Sequence, residues 1–243
     1  MNEQFQLLKA SFRHNPKGWM ETYPESIVIL LISPGQPYYQ GEKLAAIIEA
    51  INRYGFKECH IMMGDVNYRH TLRIMSRESE EALYKIAKEI GLQWLEENEH
   101  IYRDLAMNYK IFPWEYWLEH PRYLFYRQQL DNLYKHNQQF KESFLSSAQE
   151  FLSRQVYDDT LRENKQYAID CCLEYLKEEC TIIMPLWAEM RYRIIIYPNK
   201  MLAAMKATYT EFVLPNNNCD WLSLRFEKKK VGNLLELPEE EVE

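Results

Sequence analysis

Ser33 closes a continuous apolar run, 26–32, and is followed by Pro34, which biases it toward extended backbone and fixes where its hydroxyl leaves the chain. A serine so placed can act as a nucleophile, although a plain turn serine before proline is the commoner origin of the pattern. No G-x-S-x-G elbow surrounds it and none of the six histidines is marked as its base, so hydrolysis by a triad is not supported. A serine without a strong base needs an acyl donor that arrives already activated. Tyr175 and Glu179 lie four residues apart in a helical stretch and so share one face. Together they can grip an ammonium group, the carboxylate supplying charge and the phenol a directional oxygen; the bland alternative is a solvated tyrosine and carboxylate. The apolar run 194–196 delivers Tyr197 just before Pro198, again a hydroxyl followed by proline. Two hydroxyls at two strand exits can converge on one pocket.

Other side chains offer contacts rather than reaction. Arg69, Arg73 and Arg77 recur every four residues, and Lys85 and Lys88 fall within about 160° of them if the helix is continuous. That stripe suits phosphate, whereas the interleaved Glu78, Glu80, Glu81 and Glu89 suit a solvated face laced with ion pairs. Trp114, Tyr116, Trp117, Tyr123, Phe125 and Tyr126 form an aromatic cluster that reads mainly as core, with Tyr126 carried forward as a candidate substrate contact. Cys59, Cys171, Cys172, Cys180 and Cys219 are odd in number and contain no C-x-x-C, so they read as small, reduced core residues, not disulfides or a zinc ribbon. With only seven glycines and neither G-x-G-x-x-G nor a P-loop, dinucleotide cofactors and phosphate-cradling loops are disfavoured.

The elements that must position these groups follow from pattern. In 243 residues, 47% are apolar and 27% charged, enough for one sizeable core without staples. A single domain over 1–230 is expected, with an N-terminal arm at its start and an acidic tail, 231–243, beyond it. The longest aliphatic run, 27–32, is far short of the roughly 20 residues that span a bilayer, and Glu21 and Glu25 precede it, so neither a membrane span nor a signal peptide is expected and a cytoplasmic protein is. A net charge of −7 means that a nucleic-acid partner must be met by a local basic patch. Strand 26–32, helix 42–54 ending at Gly55, strand 58–63 and a further helical segment make two βα units, hence a parallel sheet. The stretch 76–179 reads as almost wholly helical, interrupted near Asn98, Phe112-Pro113 and His120-Pro121, with caps at Ser76 and Asp158. Strand-like runs follow at 181–184, 192–196, 209–214 and 221–226. The expected fold is α/β, a Rossmann-like open, mostly parallel sheet with helices on both faces, in which ligands bind outside the carboxyl ends of the strands. The loop that starts at Ser33 belongs there.

Taken in order and spacing, Ser33-Pro34-Gly35-Gln36-Pro37-Tyr38-Tyr39 after an apolar strand, then Tyr175-Leu176-Lys177-Glu178-Glu179, then Tyr197-Pro198, resemble the tRNA-dependent cyclodipeptide synthases over roughly residues 25–230. That family is similar in fold to the catalytic domain of class I aminoacyl-tRNA synthetases of the tyrosine and tryptophan type. It lacks their ATP-activation signatures, as does this chain: Lys200-Met201-Leu202-Ala203-Ala204 is only superficially similar to a KMSKS loop. The resemblance therefore implies two aminoacyl-tRNAs as partners, no ATP, no cofactor and no metal. Oligomeric state is left open, with a monomer favoured. Gln36, Tyr197 and Pro198 at the signature positions resemble the subgroup with Tyr-Pro at the second and third and a variable first, and depart from the subgroup with Asn at the first. It further implies that Ser33 takes the first aminoacyl group, that Tyr175 and Glu179 hold its amine, that Tyr197 relays a proton at ring closure, and that backbone near Gly35 supports the oxyanion. Gly35, Gln36, Leu31, Tyr126 and Pro198 are the expected substrate contacts, with Met184 and Leu186 as further candidates to line the pocket of the first residue. Arg69, Arg73, Arg77, Lys85 and Lys88 are expected to meet the acceptor stem. A tRNA-binding module of synthetase-like fold without chemistry is the alternative.

Overall fold

A strand that is apolar on both sides is stable only where both faces are covered, and IVILLI of β2 (Ile27–Ile32) is such a strand. The computed structural model describes residues 6–12, 20–154, 164–198, 201–216 and 220–230. In it β2 lies inside a six-stranded sheet of order β1-β6-β5-β2-β3-β4, in which β3 is Glu58–Met63, β4 Asn108–Pro113, β5 Ile194–Tyr197 and β6 Asp220–Lys230. All neighbours run parallel except β1 (Gln6–Phe12), which pairs antiparallel with β6 at one edge. The residues before 20 are thus not merely an arm, since 6–12 complete the sheet.

Side chains alternate between the two faces, as the pleat requires. Val28, Leu30 and Ile32 join Ile61, Met63, Ile194 and Ile196 under α1 (Gly41–Tyr54) and part of α3 (Glu80–Tyr102). Ile29, Leu31, Met62 and Ile195 face a larger layer. It comprises α4 (Trp114–Leu118), α5 (Tyr123–His136), α6 (Gln138–Ser153), α7 (Lys165–Thr181) and α8 (Ala203–Thr208). Among the parallel strands the order reverses between β2 and β5. At such a switch point the two crossovers leave in opposite directions and open a crevice at the carboxyl ends of the strands.

Several elements differ from expectation for identifiable reasons. Asn98 does not interrupt α3, because its side-chain amide donates to the Trp94 carbonyl four residues back at 2.9 Å. β4 lies within the stretch read as helix; it is a short, half-polar strand at the other edge of the sheet, whose alternation of exposed Asn108 and Lys110 with half-buried Tyr109 and Ile111 runs for only two periods. The run 181–184 is not a strand: α7 continues through Thr181 into a π-helical turn, Ile182–Leu186, whose residues are all buried. Continuous burial removes the periodicity that separates a short strand from a helix. The stretch 209–214 is likewise helical, a π-turn at Tyr209–Val213. Ser76 ends α2 (Arg69–Met75), and Ser79 caps α3 by accepting from the Ala82 amide at 3.2 Å. The expected cap at Asp158 and the acidic tail lie outside the described residues.

Candidate active site

Ser33, Pro34, Gly35 and Gln36 form a turn of type II: proline at the second position, Gly35 at φ +84° in the third, and the Gln36 amide donating to the Ser33 carbonyl at 3.2 Å. Glycine is needed at 35 because side chains disfavour that φ. The turn starts where β2 leaves the sheet, so Ser33 is held at the switch point. On β5, Tyr197 follows Ile196, which is paired with Leu30 of β2, so the second hydroxyl leaves the sheet on the neighbouring strand. Gly64 stands at the end of β3, its amide donating to Ile32 O at 2.7 Å.

α7 supplies the third part and is clamped on two sides. Towards α5, Arg127 bonds Glu174 at 2.6 Å and Asp131 at 3.0 Å. Towards α2 and α4, Glu178 accepts from Arg69 Nη1 at 2.9 Å and Nη2 at 2.6 Å, from Trp114 Nε1 at 3.0 Å, and lies 3.3 Å from His70 Nε2. So fixed, the helix turns Tyr175 and Glu179 into a cavity of about 860 Å³, whose wall also includes Ser33, Gly35, Gln36, Tyr197 and Pro198. Tyr175 Oη donates to Glu179 Oε1 at 3.3 Å, and Ser33 shares the cavity wall with both. The four expected catalytic side chains therefore share one enclosure.

Its electrostatics separate two adjacent carboxyls. Burial raises Glu179 to about 8, with the Tyr175 bond opposing and the Glu178 charge adding to the rise. Burial acts upward on Glu178 too, but the His70 and Arg69 bonds and the Arg69 charge overcome it and hold the group down at about 2. Glu178 is a permanent anion inside an ion-pair network, and Glu179 is poised to exchange a proton near neutral pH. Burial, with the nearby Glu179 charge, pushes both Tyr175 and Tyr197 well above the ordinary phenol range, so both stay neutral donors.

Not every expected contact reaches the cavity. Leu31 is buried in the core beneath it, as are Met184 and Leu186, and none of the three is on its wall. The even spacing of a strand tells which face a residue takes, not how far it stands from a pocket. Tyr126 is also off the wall; it packs beside Phe125 and beneath the Arg122 guanidinium. The basic stripe is not one helix, because α2 ends at Met75 and α3 begins at Glu80. Arg69 is turned inward onto Glu178 and is only 12% exposed. Arg73 pairs with Glu80, Lys85 with Glu81 and Lys88 with Glu115, while Arg77 stands exposed between the helices. Among the wall residues that had no assigned role are Tyr39, 2% exposed, and His70, 6% exposed. Tyr39 belongs to the Ser33 motif, but the sequence offers no sign that His70 meets Glu178, 108 positions away.

A sheet with this reversal, carrying a hydroxyl, two phenols and a carboxyl at its switch point, defines a Rossmann-like α/β enzyme. The fold matches that of a Mycobacterium tuberculosis protein at TM-score 0.61 and 12% identity, covering 93% of this chain and 96% of that one; its structure is described as demonstrating that cyclodipeptide synthetases are related to type I tRNA synthetases. A cyclodipeptide synthase from Fluoribacter dumoffii is similar at TM-score 0.85 and 34% identity over 91% of this chain and 99% of its own. One from Candidatus Glomeribacter gigasporarum, bound to Phe-tRNAPhe, superposes at TM-score 0.68 with 17% identity over 87% of this chain and 92% of its own. The sequence pattern of the family described as cyclodipeptide synthase matches residues 25–202, and no curated protein matches in a sequence search. The chain belongs to the cyclodipeptide synthase family, whose members are aminoacyl-tRNA-dependent transferases.

Proposed function

We propose that the chain joins the aminoacyl groups of two charged tRNAs into a cyclic dipeptide through two successive esters on Ser33. The observation that carries this reading is the sharing of one cavity by Ser33, Tyr175, Glu179 and Tyr197. In the first step Ser33 Oγ attacks the aminoacyl ester; the Oγ–C bond forms, the bond to the ribose oxygen breaks, and the serine proton leaves with that oxygen. The donor is already activated, so the weak basicity around Ser33 is sufficient. Tyr175, bonded to Glu179, stands on the same wall as Ser33, where the aminoacyl group is received. A backbone amide near Gly35 is suited to the developing oxyanion.

Tyr175 and Glu179 then hold the amine of the bound aminoacyl group. Glu179, with its carboxyl at about 8, accepts a proton from the ammonium. The freed amine attacks the second aminoacyl ester; a C–N bond forms, the bond to the second ribose oxygen breaks, that oxygen leaves with the proton the nitrogen sheds, and a dipeptidyl ester remains on Ser33. In the last step the terminal amine attacks the Ser33 ester, the C–Oγ bond breaks, and Tyr197 passes the proton back to Oγ. Gln36, Tyr197 and Pro198 lie on the wall, and on the identity of these residues the Tyr-Pro subgroup is the proposed assignment.

Arg73, Arg77, Lys85 and Lys88, on α2, α3 and the turn between them, are proposed to contact tRNA phosphate, with Arg73, Lys85 and Lys88 exchanging carboxylate partners for phosphate. Arg69 serves α7 instead. Purified protein given a mixture of charged tRNAs should release cyclic dipeptide detectable by mass spectrometry, and Ser33→Ala should release none. An undiminished yield from Ser33→Ala rules the reading out.

A further inference from the structure

α6 and its cap present Ser147, Glu150, Phe151 and Arg154 to the cavity. Steps of three and four residues keep them on one helix face. Exposure rises along that face: Ser147 is buried and accepts from the Ala204 amide at 2.9 Å, Phe151 is half-buried, and the Arg154 side chain is 64% exposed. The face therefore runs from the interior outward, and Arg154, which ends α6, stands at the rim. Among the described residues of the wall it is the only lysine or arginine. It pairs with Glu150, one turn back and 48% exposed. Exposed pairs at this spacing are weak, so the guanidinium is readily exchanged to a better anion. Its charge is felt within the site: burial and the Glu179 charge push the Tyr197 pKa up, and the Arg154 charge acts against them.

An aminoacyl-tRNA carries, whatever its amino acid, a phosphodiester on the 5′ side of its terminal adenosine. When the ester is seated at Ser33, that anion is one nucleoside away, on the path back to solvent. A guanidinium matches phosphate oxygens with two parallel N–H donors. We propose that Arg154 is a substrate-binding residue that grips the phosphodiester preceding the terminal adenosine of the charged tRNA that acylates Ser33, releasing Glu150 to do so. This rests on the cavity being the aminoacyl-transfer site. The contact reads a group common to all charged tRNAs, so it sets affinity without selecting the amino acid, and Glu150 is a competitor for the guanidinium.

The test removes one charge from each partner. Acylation of Ser33 is followed by acid-quenched intact mass over a range of tRNA concentrations, using charged tRNA with either its natural last phosphodiester or an uncharged methylphosphonate in that position. Wild type, Arg154→Gln, Arg154→Lys and Glu150→Gln are compared, with thermal unfolding of each. The proposal expects the methylphosphonate to raise the half-saturating concentration of wild type about tenfold, and Arg154→Gln to do the same with natural tRNA, at little cost to the maximal rate or the melting temperature. The two losses should not add: in Arg154→Gln the methylphosphonate costs little more. Arg154→Lys, which keeps the charge but not the fork, should lie between, and Glu150→Gln should lower the half-saturating concentration about twofold. A methylphosphonate penalty as large in Arg154→Gln as in wild type overturns the proposal, as does an Arg154→Gln variant that saturates like wild type. A fall in maximal rate with unchanged saturation also overturns it and leaves Arg154 acting on Tyr197 alone. Absence of any acylation of the wild-type protein overturns the reading of the cavity itself, and the role of Arg154 with it.

Discussion

Glu178 and Glu179 are neighbours in sequence with opposite protonation behaviour, and the difference comes from which side of α7 each leaves. Glu178 meets a guanidinium and an indole N–H; Glu179 meets one phenol and the cavity. The raised carboxyl has a consequence for stability. An unfolded Glu titrates near 4.5 and the folded one near 8, so between those values the folded state binds more protons and stability falls as pH rises. Glu179→Gln has nothing to ionise there. It should abolish cyclic product yet become more stable than wild type as pH rises from about 5 to 9, by an amount on the order of 4 kcal/mol at the alkaline end. Urea unfolding at a series of pH values checks this, and a stability difference that does not change with pH refutes the burial argument. At this scale much was legible: serine before proline, the i,i+4 pair of Tyr175 and Glu179, and Tyr197-Pro198 all reach the cavity. Leu31, Tyr126 and Arg69 do not line it, because reach into a pocket depends on packing between elements distant in sequence.

Elements place these groups through close approach as much as through pattern. β2, α1 and β3 follow the expected boundaries because the buried runs are interrupted by clear stops, with Gly55 at φ +66° closing α1. The edge strands β1 and β4 and the helical runs near 182–186 and 209–213 were not readable: the alternation of Leu8, Ala10 and Phe12 in β1 and of Tyr109 and Ile111 in β4 is only two or three residues long, and full burial erases periodicity at 182–186. One approach is tight enough to test. A Cβ at Gly91 of α3 would come within 2.4 Å of the Asp65 Cβ, and Asp65 in turn accepts from the Trp114 amide at 3.1 Å. Gly→Ala in an open helix stabilises by about 1 kcal/mol. Gly91→Ala should instead destabilise by about 1–3 kcal/mol and reduce product yield, because the connection that carries Gly64 and Tyr68 on the cavity wall must move. An increase in melting temperature contradicts this packing.

The whole molecule carries a net charge of −7, while the proposed partner is a polyanion. Attraction must come from local cations such as those of α2 and α3, several already paired with glutamates, so modest and strongly salt-dependent tRNA binding is expected. Replacing Arg77 and Lys85 with glutamine should weaken binding of all charged tRNAs alike and reduce the salt slope by roughly 1 per contact removed; an unchanged slope places the interface elsewhere. Among the described residues no helix is long and apolar enough to cross a membrane. The cavity at the switch point, built by strands from both halves of the sheet and by α7, ties these scales together through the hydroxyl of Ser33. The central claim is tested most directly by acid-quenched intact-mass analysis of the protein with a single charged tRNA, followed by peptide mapping. An increment of one aminoacyl group, then of two, both on Ser33 and both missing in Ser33→Ala, is the predicted result; cyclic product formed with no adduct on Ser33 at any time contradicts it.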